Sequence, residues 1–199
     1  MFGNSEEFWN QYFKQQAKTK PPIEDVIPEF LDGENKKAAL EFVAYLRGKK
    51  MNPRWATHNV WKPLLKGKPI CRIRLPKHEG HFRNPKHSDE TAWMGSWCVM
   101  LQLHKLKVKF DELSFDEGMK NFICDNLFNC APNCTGGCNP NKTTLIFGKE
   151  IENRCGMDNG HLCILNPDET EMIYIKTLLE LEIQARNEND KQAKKLKMK

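Results

Sequence analysis

Two short segments of the chain alternate apolar and polar side chains with a period of two residues. In residues 70–75 the apolar positions of one face are Cys71, Ile73 and Leu75. In residues 97–104 the matching positions are Trp97, Val99, Leu101 and Leu103. Because successive side chains of a strand point to opposite faces, both segments are predicted strands with one apolar face. That face is expected to pack under helices, so the chain is constrained to a sheet covered by helices.

Helical patterns flank these strands on both sides. Apolar residues recur at helical spacing over 5–18, 32–47, 114–128 and 166–186. Two of these helices follow capping sequences, Ser114-Phe115-Asp116-Glu117 and Asn166-Pro167-Asp168-Glu169. Between the first two helices, a short turn interrupted by Pro28 is predicted.

Further strands are predicted over 61–65, 69–75, 105–110, 143–147 and 161–165, the first two flanking Lys66-Gly67-Lys68. Strands and helices do not alternate regularly, which indicates an α+β fold with a mainly antiparallel sheet packed by N-terminal and C-terminal helices. The predicted parts are an N-terminal helical segment (1–30), one α+β domain (31–187) that contains a Cys-rich metal-binding loop (129–142), and a basic disordered tail (188–199).

Charge is unevenly distributed along the chain, although the formal net charge is only +5. Residues 47–109 hold 15 Lys and Arg against 3 Asp and Glu, whereas residues 110–190 hold 6 against 15. Such an asymmetry arises when an acidic helix packs beside a basic sheet, and it also suits an anion-binding surface in the middle of the chain.

The cysteines predict a metal site. Four of the eight lie within 26 residues, in a segment rich in turn-forming residues: Cys130, Cys134, Cys138 and Cys155. Zinc prefers four tetrahedral ligands, and thiolates held together repel one another unless a cation lies between them. Cys124, Cys163 and His161 are alternative fourth ligands. An iron–sulfur cluster uses the same ligand chemistry, and a set of ordinary reduced cysteines in a loop is the third interpretation.

The polar face of the predicted strands forms a second candidate site. Period-two alternation places Arg72 and Arg74 on the same face as Gln102 and His104, opposite the apolar face. Arg54, Trp61 and Lys62 are expected nearby. Arginines beside a tryptophan can hold a phosphate or a nucleobase. A solvated sheet face remains the alternative interpretation.

Several short motifs resemble a family of small uncharacterised bacterial proteins with a Cys-rich loop. They are Tyr45-Leu46-Arg47, Pro53-Arg54-Trp55, Trp61-Lys62, Gly67-Lys68, Glu79-Gly80-His81-Phe82, Gly95-Ser96-Trp97, Gly148-Lys149-Glu150 and Asn166-Pro167-Asp168-Glu169. The resemblance spans about residues 30–186. It implies a compact α+β fold that includes the cysteine loop, and no activity.

These observations favour a soluble, cytoplasmic binding or sensing protein with a structural zinc site and a small anionic ligand. Neither a secretory signal nor an apolar run long enough for a membrane span is found. The residues His78-Glu79-Gly80-His81 do not have metalloprotease spacing, and no catalytic constellation is found, so an enzyme is the less favoured interpretation. A zinc protein that binds nucleic acid through the basic middle segment is the other alternative.

Overall fold

The computed structural model describes residues 6–76, 96–106, 110, 112–127, 143–151 and 161–197. The helices are α1 (Glu6–Thr19), α2 (Ile23–Phe30), α3 (Gly33–Gly48), α4 (Glu117–Asn126) and α5 (Glu169–Lys197). The strands are β1 (Pro53–Thr57), β2 (Val60–Leu65), β3 (Lys68–Pro69), β4 (Cys71–Arg74), β5 (Cys98–Gln102), β6 (Thr144–Ile146), β7 (Lys149–Ile151) and β8 (His161–Leu165). The predicted α+β class is confirmed.

The main sheet has the strand order β1-β2-β4-β5-β8, and every neighbouring pair is antiparallel. The short strand β3 also pairs with β2, and β6 and β7 form a separate hairpin. The strands of residues 53–74 are therefore a local meander. The second neighbour of β5 is β8, which comes from much later in the chain.

One face of the sheet forms the core. Its side chains are almost wholly inaccessible to solvent and include Trp61, Cys71, Ile73, Trp97, Val99, Leu101, Leu162 and Ile164. They belong to one apolar cluster with the buried residues of α2, α3, α4 and α5. The apolar face predicted from the alternation is the face that the helices cover.

A buried polar network fixes α1 to the sheet. The Gln16 side chain donates to Asn59 Oδ1 at 2.7 Å, and its own Oε1 accepts from the backbone N–H of Asn59 at 2.7 Å. Asn59 also donates through Nδ2 to the carbonyl of Pro76 at 2.6 Å. Asn59 has a φ of 53° in the turn between β1 and β2, a conformation that Asn tolerates better than most residues. The turn, the end of β4 and the helix are thus joined through one side chain.

Both predicted capping sequences lie at helix starts, but different residues act as caps. Asp116 caps α4, because its Oδ1 accepts from the backbone N–H of Met119 at 2.7 Å. Asp168 and Glu171 form the reciprocal capping box of α5. Asn166 instead accepts from the backbone N–H of Trp97 at 3.0 Å and so ties the end of β8 to the start of β5.

Three predicted elements differ in the structure. The segment around Pro28 is the helix α2, not a turn. The proline removes one hydrogen-bond donor, but Ile23, Val26 and Ile27 on the same helix are buried. Helix α5 continues to Lys197, beyond the predicted end near Arg186 and through most of the predicted tail. The predicted strand over 105–110 begins as a turn at residues 104–106.

Candidate anion-binding site

The predicted basic residues of the sheet lie on the face opposite the helices. Arg72 and Arg74 of β4 stand directly opposite Met100 and Cys98 of β5. Arg54 of β1 pairs with Lys62 of β2, and Lys62 shares a face with Val60, the partner of Arg74. Three of the predicted residues, Arg54, Arg72 and Arg74, therefore share this face with Lys62.

Trp61 does not belong to this surface. It pairs with Ile73, its side chain is wholly buried in the core, and its Nε1 donates to the carbonyl of Pro21 at 3.0 Å. The prediction that Trp61 lies beside the arginines is wrong, because a residue next to Lys62 on a strand must point to the opposite face.

The two arginines of β4 are partly buried cations. The pKa of Arg74 is lowered to about 10, chiefly by burial and to a smaller extent by the nearby charge of Arg72. Within the part of the chain that the structure describes, the buried Nε atom of Arg72 has no hydrogen-bond acceptor. This part of the sheet therefore carries positive charge beside two sulfur-containing residues of β5, Cys98 and Met100.

Gln102 ends β5 on the same face as Arg72 and Arg74, because it follows Met100 by two residues, whereas His104 lies beyond the strand. Gln102 is buried, and His104 is exposed in the turn that follows the strand. Both residues line a cavity of about 560 Å³. Its other described lining residues are Leu65, Lys66, Lys68, Pro69, Lys105, Arg186 and Asn189. We call this the basic cavity.

Three elements build the basic cavity. The turn between β2 and β3 contributes Lys66, and β3 contributes Lys68; the turn closes through Gly67, whose φ of 79° suits glycine. The turn after β5 contributes His104 and Lys105, and α5 contributes Arg186. The cavity therefore lies where one end of the sheet meets the second half of the last helix.

A buried ion pair holds this wall of the cavity together. Arg186 donates to Glu182 Oε1 at 2.7 Å, and its two other nitrogens donate to the carbonyls of Pro69 and Gln102, each at 3.1 Å. Glu182 is wholly buried and also accepts from the backbone N–H groups of Lys105 and Leu106. One carboxylate and one guanidinium thus tie α5 to both turns.

The basic cavity has an excess of positive charge. Glu182 balances the charge of Arg186, while Lys66, Lys68 and Lys105 add three further cations. No Asp or Glu is among the lining residues that the structure describes. Lys66 is held in place through a hydrogen bond of 2.8 Å to Asn187 Oδ1.

Sequence reasoning identified two of the residues that line the basic cavity and missed the others. The three lysines lie within the basic segment 47–109, so their charge was visible but their convergence was not. Arg186 is separated from Pro69 by more than half of the chain, and no local pattern indicates that contact.

The four predicted zinc ligands, Cys130, Cys134, Cys138 and Cys155, lie outside the described residues. Of the alternative ligands, Cys124 lies on α4 and Cys163 on β8, where it is hydrogen-bonded to Cys98. His161 begins β8 and pairs with Gln102. In the described ranges, no three His, Cys, Asp or Glu side chains converge as they would around a metal ion.

Known proteins give no relative from which a function could be transferred. Comparison with protein families, with curated proteins and with solved structures finds no match for this chain. Among the described helices, none combines the length and the apolar character that crossing a membrane requires.

Proposed function

We propose that this protein binds a small anionic ligand in the basic cavity. The observation that carries the proposal is the concentration of Lys66, Lys68 and Lys105 around a volume of about 560 Å³. Three ammonium groups around one cavity create a positive potential, which attracts an anion. The volume lies within the range of roughly 300–1,000 Å³ that is typical of small-molecule sites.

The lining indicates which kind of anion fits. Leu65 and Pro69 give the cavity an apolar wall, while Gln102 and His104 add polar side chains beside the lysines. Lysine binds phosphate as a compact point charge. A phosphate or carboxylate attached to an organic group therefore fits better than a bare inorganic ion, because the organic part would contact the apolar wall.

A thermal-shift series tests this site. Inorganic phosphate, nucleoside mono- and triphosphates and short oligonucleotides are each titrated into the wild-type protein. A ligand present at 100 times its Kd stabilises the folded state by about 2.7 kcal/mol, and a chain of this length shifts in Tm by roughly 2–4 °C per kcal/mol. We therefore expect a rise in Tm of roughly 5–10 °C with at least one small phosphorylated compound.

Two matched variants locate the site. Lys66→Gln/Lys68→Gln/Lys105→Gln should abolish the rise in Tm, whereas Lys14→Gln/Lys18→Gln/Lys36→Gln, which removes the same charge from α1 and α3, should keep it. Arg72→Gln/Arg74→Gln tests the sheet face in the same way. If only Arg72→Gln/Arg74→Gln loses the rise in Tm, the ligand binds at the sheet face, and the proposal for the cavity is contradicted.

The response to oligonucleotides distinguishes the alternative function. If only oligonucleotides raise the Tm, and if the effect falls steeply with salt, the basic residues contact a nucleic-acid backbone. That outcome would replace the small anionic ligand with a polymer. If none of these compounds raises the Tm, both proposed functions are contradicted.

We also propose that the segment with Cys130, Cys134, Cys138 and Cys155 binds one zinc ion. The support is the spacing of the four thiols and the glycines and prolines between them. Elemental analysis of freshly purified, reduced protein should give about one equivalent of zinc per chain. Cys130→Ser/Cys134→Ser should lose the metal, and Cys71→Ala should retain it, because Cys71 is buried in the core.

Two outcomes would contradict the zinc site. One is a reduced sample without metal whose Tm is insensitive to chelators. The other is a brown sample with visible absorbance, which would indicate an iron–sulfur cluster on the same ligands.

A further inference from the structure

Three sulfur-containing residues share the face of the sheet that carries Arg72 and Arg74. Met100 of β5 stands directly opposite Cys163 of β8. Cys98 lies two residues before Met100 and therefore on the same face. Directly opposed residues have Cβ atoms roughly 4.5–5.5 Å apart, so Met100 and Cys163 are cross-strand neighbours, and Cys98 lies diagonally across from Cys163.

The two thiols are already in contact. A hydrogen bond between Cys98 and Cys163, together with burial, holds the pKa of the Cys98 thiol well above its usual range. Cys98 and Met100 are buried, whereas Cys163 is only partly covered. The cluster is therefore shielded on one side and open to small ions at Cys163.

A guanidinium group lies beside this cluster. The positive charge of Arg74 acts on both Cys98 and Cys163, and Arg74 stands opposite Cys98 in the sheet. Such a neighbour stabilises a negatively charged metal–thiolate complex, since the charge on the complex and the charge on the arginine cancel in a site of low polarity.

We propose that Cys98, Met100 and Cys163 form a binding site for one Cu(I) ion. Two thiolates and one thioether are soft ligands, which select Cu(I) among the common metals. Three ligands around one ion at roughly 2.3 Å, the metal–thiolate distance of zinc, stand roughly 4 Å apart. Zinc prefers four ligands, whereas the three sulfur ligands of this cluster match the low coordination number of Cu(I).

The binding step balances without a change of oxidation state. Cu(I) replaces the two thiol protons, which pass to solvent, and the sulfurs of Cys98 and Cys163 become thiolates. The complex of two thiolates and Cu(I) carries one negative charge, and Arg74 supplies one positive charge. This site is independent of the anion-binding proposal because it shares no residue with the basic cavity.

The test is an anaerobic Cu(I) titration of the reduced, zinc-loaded full chain in competition with a chromogenic Cu(I) chelator. The wild-type protein should bind one equivalent more than Cys163→Ser and one more than Cys98→Ser. Any Cu(I) taken up by the other cysteines is common to all samples and cancels in the difference. Cys71→Ala, which removes a thiol from the opposite face of β4, should bind as many equivalents as the wild type.

A separate variant tests whether Met100 is the third Cu(I) ligand. Met100→Leu keeps the volume of the side chain and should weaken the extra Cu(I) equivalent at least tenfold without removing it. Thermal melts without copper establish that each variant is folded. Equal stoichiometry in the wild type and in folded Cys163→Ser would overturn the site, and unchanged affinity in Met100→Leu would overturn the ligand set.

Discussion

Replacing Glu182 by Leu should lower the free energy of unfolding by about 3–5 kcal/mol, the usual effect of removing one member of a buried ion pair. The side chain of Arg186 is only 12% exposed and would lose its carboxylate partner. The backbone N–H groups of Lys105 and Leu106 would lose their acceptor as well. Helix α5 should therefore be held less firmly at the end of the sheet, where only the bonds of Arg186 to the carbonyls of Pro69 and Gln102 and that of Lys66 to Asn187 would remain of those described.

Urea unfolding monitored by far-UV circular dichroism measures this change. The control is Glu180→Gln, which removes the same charge from the same helix at a partly exposed ion pair with Lys49, and it should cost less than about 1 kcal/mol. The double variant Glu182→Leu/Arg186→Met should recover part of the loss, because an apolar pair leaves no buried charge. A loss below about 1 kcal/mol for Glu182→Leu would mean that the pair does not stabilise this end of the sheet.

Asn59→Ala should destabilise the protein by about 3 kcal/mol through two separate effects. The amide group of Asn59 accepts from Gln16 and donates to the carbonyl of Pro76, and each buried partner left without a hydrogen bond costs about 1–3 kcal/mol. The φ of 53° at this position is also less favourable for Ala than for Asn.

The variant Asn59→Gly separates these two effects, because glycine accepts the positive φ but restores neither hydrogen bond. It should therefore recover about 1 kcal/mol relative to Asn59→Ala. Asn52→Ala is the surface control, since the Asn52 side chain accepts an exposed hydrogen bond of 3.3 Å from Arg47. Limited proteolysis should cut α1 sooner in Asn59→Ala. If α1 stays protected and stability is unchanged, the network does not anchor the helix.

The sheet was predictable because its signal is local. Alternation along residues 70–75 and 97–103 separates the two faces correctly, and β8 occupies the predicted range 161–165. The same rule would have placed Trp61 in the core, since its neighbour Lys62 belongs to the opposite face. Strand β1 was missed because Arg54 and its neighbours alternate too weakly, and the strand is identified only by its pairing with β2.

The site was less predictable than the sheet. Gln102 and His104 follow each other at strand spacing, and the sequence therefore placed them with Arg72 and Arg74. In the structure Gln102 keeps the predicted face, because it follows Met100, the partner of Arg72, by two residues in β5, whereas the chain leaves the strand and turns at His104. Long-range contacts such as that of Arg186 with Pro69 decide which lysines converge, and spacing within one segment carries no information about them.

The strand order has a consequence for the way in which the sheet assembles. Strands β1, β2 and β4 are neighbours both in the chain and in the sheet, so they can pair at a small cost in chain entropy. The pairing of β5 with β8 must instead close the whole of residues 103–160, and contacts of such long sequence separation slow folding. We therefore expect the meander to protect its amide protons first in a refolding experiment with pulsed hydrogen exchange. Protection of β8 and the contact between Cys98 and Cys163 should appear together in the slowest phase.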